Sequence, residues 1–200
     1  QLRGRYDLVV FPESSLDEFS PESNPGLRSR LVAVGAEHGA DVLANAAIPA
    51  PDGREFNQNV LYTPDGRLTG TYSKEHLVPF GEYVPLKSLL SFVSPLVERL
   101  VDFAPGTAVT LLPVGPHQVS TAICYEVVYP HLIRQAVLNG AELLTTITND
   151  AWYGRSSAPY QHFALASMRA IEQGRYLARA ANTGISGIVD PYGRPLVATR

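Results

Sequence analysis

The chain has 200 residues, of which 45% are hydrophobic, and this composition is typical of one globular domain with a sizeable core. The net charge of −3 argues against nucleic acid as a partner, because nucleic-acid binding needs a basic surface. A single cysteine excludes an internal disulfide and a cysteine-rich metal site, and no apolar run approaches the ~20 residues of a membrane span.

In the first half of the chain, short apolar strands are predicted around one helix. The helix is predicted from Leu27 to His38, with Gly39 as its stop. Glu13 and Lys74 each come just after a predicted strand, which is where open α/β sheets bind ligands. The strands of this half are predicted at 6–11, 42–48, 59–63 and 69–73.

The pattern changes after Lys74. Residues 76–85 contain two prolines and a glycine and are predicted to form a loop. Residues 86–103 show apolar side chains at helical spacing, interrupted at Pro95, and their charged residues argue against a membrane span. Two interpretations stay open for 86–103: a helix lying on the sheet, or an interfacial arm that dips into lipid.

The second half returns to an alternation of strands and helices. Cys124, the only cysteine, lies at a predicted strand-to-helix turn, where a nucleophile can be exposed beside backbone N–H groups. The alternative is that Cys124 is a small buried hydrophobic residue, as a lone cysteine usually is. Strands are predicted at 109–114, 118–123, 143–148, 176–181 and 187–190, and helices at 130–139 and 161–173.

Glu13, Lys74 and Cys124 are therefore expected to meet at one edge of one sheet. Taken singly, the glutamate and the lysine are typical of solvated surface residues. Together the three side chains supply a base, a cation and a nucleophile, and the backbone N–H of Tyr125 is a further donor for an oxyanion. The histidines show no metal-ligand spacing and no Gly-x-Ser-x-Gly elbow is present, so we expect neither a metal nor a cofactor.

These residues resemble the Glu–Lys–Cys triad of the nitrilase, or carbon–nitrogen hydrolase, superfamily. Longer motifs are similar to the apolipoprotein N-acyltransferase family within it, and the resemblance covers nearly the whole chain. The resemblance implies that Glu13 is the general base, that Lys74 stabilises the oxyanion, and that Cys124 forms a thioester with an acyl chain. The motifs that carry it lie at 12–14, 72–85, 124–126, 149–154 and 161–186.

The same resemblance implies four supporting residues. Glu82 matches a carboxylate that supports the active-site lysine, and Glu126 matches an essential carboxylate beside the nucleophile. Tyr125 and Trp152 match aromatic residues near the acyl and head-group pocket. Considered outside their motifs, both carboxylates are typical of solvated loop charges.

For the whole chain, the resemblance implies an α-β-β-α sandwich, truncated at both ends, in which residues 1–200 form one catalytic domain. The implied enzyme moves a fatty acyl chain from a phospholipid to the N-terminal amine of diacylglyceryl-cysteine apolipoproteins. It works at the bacterial inner membrane, facing the periplasm, with flanking membrane helices that this chain lacks. Two alternatives stay open: a small-molecule amidase with the same triad, and a non-enzymatic α/β binding domain with a structural cysteine.

Overall fold

The computed structural model describes residues 4–16, 24–83, 85 and 102–199. The helices are α1 (Pro25–His38), α2 (Pro130–Leu138) and α3 (Ala158–Gln173), and two short 3₁₀ helices cover Cys124–Val128 and Asp150–Tyr153. The strands are β1 (Leu8–Val10), β2 (Asp41–Pro49), β3 (Glu55–Tyr62), β4 (Leu68–Ser73), β5 (Leu112–Val114), β6 (His117–Ile123), β7 (Leu143–Thr148), β8 (Tyr176–Ala181), β9 (Gly187–Val189) and β10 (Pro195–Ala198).

The strands form two separate sheets. The small sheet has the order β1-β2-β3-β4, with β1 parallel to β2 and the other pairs antiparallel. The large sheet has the order β10-β9-β8-β7-β6-β5, and its centre, β6 to β8, is parallel. The prediction of one edge of one sheet was therefore wrong, because Glu13 and Lys74 follow strands of the small sheet whereas Cys124 follows β6 of the large sheet.

Three apolar clusters show how the layers are stacked. The first lies between α1 and the outer face of the small sheet, and the second lies between the two sheets. The third lies between the large sheet and helices α2 and α3. The order helix, sheet, sheet, helix is an α-β-β-α sandwich, as the resemblance implied. Representative members of the three clusters, in that order, are Leu31 with Val42, Leu61 with Val119, and Ile133 with Leu177.

Most predicted elements are present, with shifted ends. Helix α1 ends at Gly39 as predicted, and this glycine has the left-handed φ of 66° that favours glycine. Strand β3 begins at Glu55, four residues earlier than predicted, and β5 is restricted to Leu112–Val114. The predicted helical segment 86–103 lies outside the described residues, except for its last two positions. Among the helices that are described, none has both the length and the apolar content to cross a bilayer.

Candidate active site

Cys124 begins the 3₁₀ helix that follows β6, so the predicted strand-to-helix turn is confirmed, with a short 3₁₀ helix before α2. Its φ of 54° is left-handed, a conformation that a non-glycine residue adopts at a cost of about 1–3 kcal/mol. Such strain persists only where the surrounding structure holds it. Cys124 is enclosed in this way, because only 8% of its surface is exposed. The turn therefore presents the thiol at the end of the strand in one defined direction.

Glu13 is a buried carboxylate that reaches across from the small sheet to the large one. Its Oε1 accepts a hydrogen bond from Asn57 Nδ2 at 3.1 Å, and its Oε2 accepts one from the backbone N–H of Asn149 at 2.8 Å. Asn149 directly follows β7, the strand next to β6 in the large sheet. The carboxylate is thus held at the junction of the two sheets.

Lys74 is almost fully buried, and its Nζ donates to Glu82 Oε1 at 2.7 Å. Glu82 is fixed in turn, because its Oε2 accepts from the backbone N–H of Val78 at 2.8 Å. Burial opposes the positive charge, but Glu13, Glu82 and Cys124 outweigh burial and raise the pKa of Lys74. The charge of Lys74 is therefore favoured by two carboxylates of the site, one of which accepts its hydrogen bond.

The thiol of Cys124 is protonated at neutral pH. Burial and the nearby negative charge of Glu13 raise its pKa to about 11, although Lys74 acts in the opposite direction. A protonated thiol is a weak nucleophile. Chemistry at this sulfur consequently needs a group that removes the proton as the sulfur attacks.

This protonation state predicts how the free thiol reacts. The rate of iodoacetamide alkylation at Cys124 is expected to rise by about tenfold per pH unit from neutral pH, because only the thiolate reacts. The rise is expected to continue towards the pKa of about 11. Mass spectrometry of the alkylated protein over a pH series measures this, with free cysteine as the control. A plateau near the ordinary cysteine value of 9.0 would contradict it.

Asn57 connects the two carboxylates, and sequence reasoning missed it. Its Nδ2 donates to both Glu13 Oε1 and Glu82 Oε1 at 3.1 Å. The Asn57 Oδ1 accepts a hydrogen bond from Asn45 Nδ2 at 2.8 Å, and Asn45 Nδ2 also donates to Asn59 Oδ1 at 3.1 Å. The sequence did contain a signal for it. Asn57 and Asn59 are two positions apart and therefore share one face of β3. If that face is buried, their amides need hydrogen-bond partners.

Glu126 is fully buried and accepts hydrogen bonds from backbone N–H groups that follow Lys74 and from one that precedes Cys124. Its Oε1 accepts from the backbone N–H groups of Glu75 at 2.7 Å and His76 at 3.1 Å, and its Oε2 accepts from that of Ile123 at 2.8 Å. The Tyr72 hydroxyl donates to both oxygens at 2.9 Å. Glu126 therefore ties the chain beyond Lys74 to the chain before Cys124.

Burial raises the pKa of Glu126, and the N–H groups of Ile123 and His76 oppose that rise. Burial and this carboxylate also raise the pKa of Tyr72, so its hydroxyl stays protonated and remains a donor. The hydrogen bonds described for the Glu126 carboxylate are all donated to it, so both of its oxygens act as acceptors. Glu126 lies two residues after Cys124 in the same 3₁₀ helix, and its role as a supporting carboxylate stays a prediction.

The three predicted residues line one cavity of about 410 Å³, within the roughly 300–1,000 Å³ of small-molecule pockets. Glu82 lines the same cavity as Glu13, Lys74 and Cys124. The rest of the lining is mainly apolar. Its polar members are Ser14, Asn45 and Asn57, and the others are Leu16, Ala46, Ala47, Val78, Gly81, Phe103, Trp152 and Tyr153. The cavity therefore combines three reactive side chains with a mainly apolar lining.

The two predicted aromatic residues have different positions. Trp152 lines the cavity and is 81% exposed, so its indole is available at the cavity wall. Tyr125 is exposed and is not one of the lining residues. Its ring contacts those of Tyr129 and His162, with centroids 5.9 and 6.3 Å away. Within the described ranges, no group of three or more His, Cys, Asp and Glu side chains is arranged to hold a metal ion.

Comparison with known proteins identifies relatives of both the sequence and the fold. A sequence model described as carbon–nitrogen hydrolase matches residues 2–199. The apolipoprotein N-acyltransferases of Geobacter metallireducens and Methylococcus capsulatus are 42% and 39% identical to the chain over 95% and 94% of its length. In each case the chain spans 37% of the relative's length, little more than a third.

A solved structure shares the fold at lower sequence identity. The carbon–nitrogen hydrolase from Helicobacter pylori superposes with a TM-score of 0.72 at 18% identity. The superposition covers 96% of this chain and 72% of that one. The α-β-β-α arrangement is thus shared with a solved hydrolase, whereas the sequence is more similar to the acyltransferases.

Proposed function

The chain belongs to the carbon–nitrogen hydrolase family, and on this premise we propose that it is the catalytic part of an N-acyltransferase that works through a thioester on Cys124. The donor is a phospholipid, and the acceptor is the N-terminal amine of a diacylglyceryl-cysteine apolipoprotein. One observation carries the proposal: Glu13, Lys74 and Cys124 line one cavity whose remaining wall is mainly apolar. The similarity to named apolipoprotein N-acyltransferases supports the choice of substrates.

In the first half-reaction, Glu13 takes the proton of the Cys124 thiol as the sulfur attacks the ester carbonyl carbon of the phospholipid. The carbonyl oxygen becomes an oxyanion, which the Lys74 ammonium and the backbone N–H of Tyr125 stabilise. The intermediate then collapses: the C–O bond breaks, Glu13 returns the proton to the leaving alkoxide, and a lysophospholipid departs. The acyl group remains on sulfur as a thioester.

In the second half-reaction, the acceptor amine attacks the thioester carbonyl and Glu13 removes a proton from the amine nitrogen. The C–S bond breaks as the new amide forms, and the thiol regains its proton. Glu82 keeps Lys74 in position throughout, because its carboxylate accepts the Lys74 hydrogen bond at 2.7 Å. A thioester is also open to attack by water, so the walls of the cavity must limit the access of water until the amine arrives.

The cellular setting belongs to the same proposal. The acyltransferase relatives are longer than this chain, which matches little more than a third of their length. We place the domain at the bacterial inner membrane, facing the periplasm, where a phospholipid and a lipoprotein are both accessible. Trp152, with its large exposed area at the cavity wall, is suited to contact the acyl chain or the head group.

The alternatives have different support. A non-enzymatic binding domain is disfavoured, because the family and the named relatives are enzymes. An amidase with the same three residues would release ammonia from simple amides. The mainly apolar lining of the cavity favours the acyltransferase, because simple amides would not need it.

The test is the intermediate itself. When the native full-length protein is given phospholipid alone, it is expected to gain the mass of one acyl chain, and this thioester is expected to persist until an acceptor amine is added. Intact-mass spectrometry measures the adduct, and hydroxylamine, which cleaves thioesters, identifies its linkage. Cys124→Ala is the control and should gain no mass. Absence of the adduct, or ammonia release from simple amides at a comparable rate, would favour the amidase.

A further inference from the structure

A buried histidine that is not one of the lining residues of the cavity contacts the backbone of the nucleophile. His162 lies in α3 and is 4% exposed, and its Nε2 is 3.1 Å from the carbonyl oxygen of Cys124. Because a carbonyl oxygen can only accept, Nε2 must carry a hydrogen and donate it. This hydrogen bond acts directly on the residue whose φ of 54° needs support from its surroundings.

The other ring nitrogen of His162 is held by a buried ion pair. Its Nδ1 lies 2.9 Å from Asp150 Oδ1 and 3.0 Å from Arg179 Nη2, and Arg179 Nη2 donates to Asp150 Oδ2 at 3.1 Å. The Asp150 carboxylate also accepts from the Thr148 hydroxyl at 2.8 Å. Whether or not Nδ1 carries a proton, Nε2 remains the donor to Cys124, because the carbonyl oxygen beside it can only accept.

The packing around Asp150 leaves the ion pair little freedom. Gly184 has a φ of 102°, and a Cβ at that position would meet the Asp150 carboxylate. Asp150 also follows Asn149, whose N–H holds Glu13, and it opens the 3₁₀ helix that carries Trp152. The cluster of Asp150, His162 and Arg179 thus connects three neighbouring strands. His162 contacts Cys124 after β6, Asp150 contacts Thr148 at the end of β7, and Arg179 belongs to β8.

We propose that His162 is a positioning residue, which holds the Cys124 carbonyl so that the sulfur faces Glu13 and Lys74. The expected effect on kcat rests on the proposed function. The expected effect on the reactivity of the Cys124 thiol does not depend on that function. A residue that aims the nucleophile affects the rate of attack more than the affinity for substrate, because a displacement of about 1 Å costs on the order of 100-fold in rate.

Two conservative variants separate positioning from a merely structural role. The side-chain amide nitrogen of glutamine reaches the position of histidine Nε2, so His162→Gln keeps the donor to Cys124 and loses the contact with Asp150. Asparagine is one methylene shorter, so His162→Asn keeps a polar atom beside Asp150 and loses the contact with Cys124. Both variants retain a polar group in the buried site, which protects the fold where His162→Ala does not.

The experiment compares these variants in the native full-length protein. His162→Ala and His162→Asn are expected to lower kcat about 100-fold with KM nearly unchanged, and His162→Gln is expected to stay within about tenfold of the native rate. Iodoacetamide alkylation of Cys124 should fall in the same order, without any substrate. The matched control is His38→Ala, which removes another buried histidine that contacts a carbonyl oxygen, that of Gly4 at 3.1 Å. It should lower the melting temperature without changing Cys124 alkylation.

The outcomes are distinct. Recovery by asparagine but not glutamine would assign His162 to holding the ion pair and would overturn the proposal, as would native kcat and alkylation in His162→Ala. If His162→Ala does not fold, the comparison of glutamine with asparagine still decides. Loss of the predicted alkylation order overturns the positioning role alone. A native protein that forms no acyl thioester overturns the proposed function but leaves the alkylation test in force.

Discussion

Replacing Cys124 by serine is expected to lower acyl transfer by about four orders of magnitude or more, roughly 5 kcal/mol in the activation barrier. Burial and Glu13 already raise the pKa of the native thiol to about 11, and a serine hydroxyl in the same place is a far weaker acid. A single carboxylate base cannot deprotonate such a hydroxyl at a useful rate. Turnover with phospholipid donor and lipopeptide acceptor measures the loss.

The serine variant should keep the native fold, because it changes one atom and retains the same backbone turn. Its melting temperature and circular dichroism spectrum are therefore expected to match those of the native protein. Activity within tenfold of the native value would remove Cys124 from the mechanism. A large fall in melting temperature would instead show that the sulfur contributes mainly to packing.

The second large effect is expected at Lys74, where arginine should be nearly as damaging as methionine. Lys74 is 1% exposed, and its Nζ sits 2.7 Å from Glu82 Oε1. The planar guanidinium is larger than an ammonium and presents its donors in a rigid fork, so it cannot occupy the same point beside an oxyanion. Both variants are expected to lose about 10²–10³-fold in kcat, the scale of a lost oxyanion donor.

Stability must be measured beside activity at this position. Lys74→Met leaves Glu13 and Glu82 without their buried cation, so its melting temperature is expected to fall, whereas Lys74→Arg retains the charge. The matched control is Arg67→Lys, a charge-conserving change in an exposed pair with Asp65, which should alter neither quantity. Native turnover in Lys74→Arg would show that the lysine acts only as a distant charge.

Local patterns predicted the elements of this fold better than their assembly. Strands β7 and β8 have the predicted bounds, because each is a short segment, at least half apolar, with clear ends in the parallel centre of the large sheet. Assignment of strands to sheets failed, because the period of a strand records which faces are buried and not which strand lies beside it. The residues of the site were nevertheless brought together, since the ends of β1, β4 and β6 converge where the sheets face each other.

The site was predicted through side chains with recognisable chemistry, and its supports were not. Cys124 was conspicuous as the only cysteine, and Glu13 and Lys74 by their positions after strands. Asn57 and His162 are less conspicuous, because an asparagine in a strand and a histidine in a helix are equally compatible with solvent exposure. The period-two spacing of Asn57 and Asn59 is a weaker signal than a unique cysteine. Their roles depend on contacts with Glu13 and Cys124, which are 44 and 38 positions away in the chain.

The division of the site between two sheets also sets the order in which a newly made chain acquires it. Glu13 and Lys74 leave the ribosome first, and the N–H of Asn149 that holds Glu13 lies 136 positions after it. Synthesis proceeds at ~5–20 residues per second, so the 75 positions from Lys74 to Asn149 take about 4–15 s. During that interval the large sheet is incomplete, and the base lacks the backbone donor of Asn149 that holds one of its two oxygens in the finished fold. The nascent polypeptide therefore carries its acid–base groups for seconds before it holds an aligned thiol.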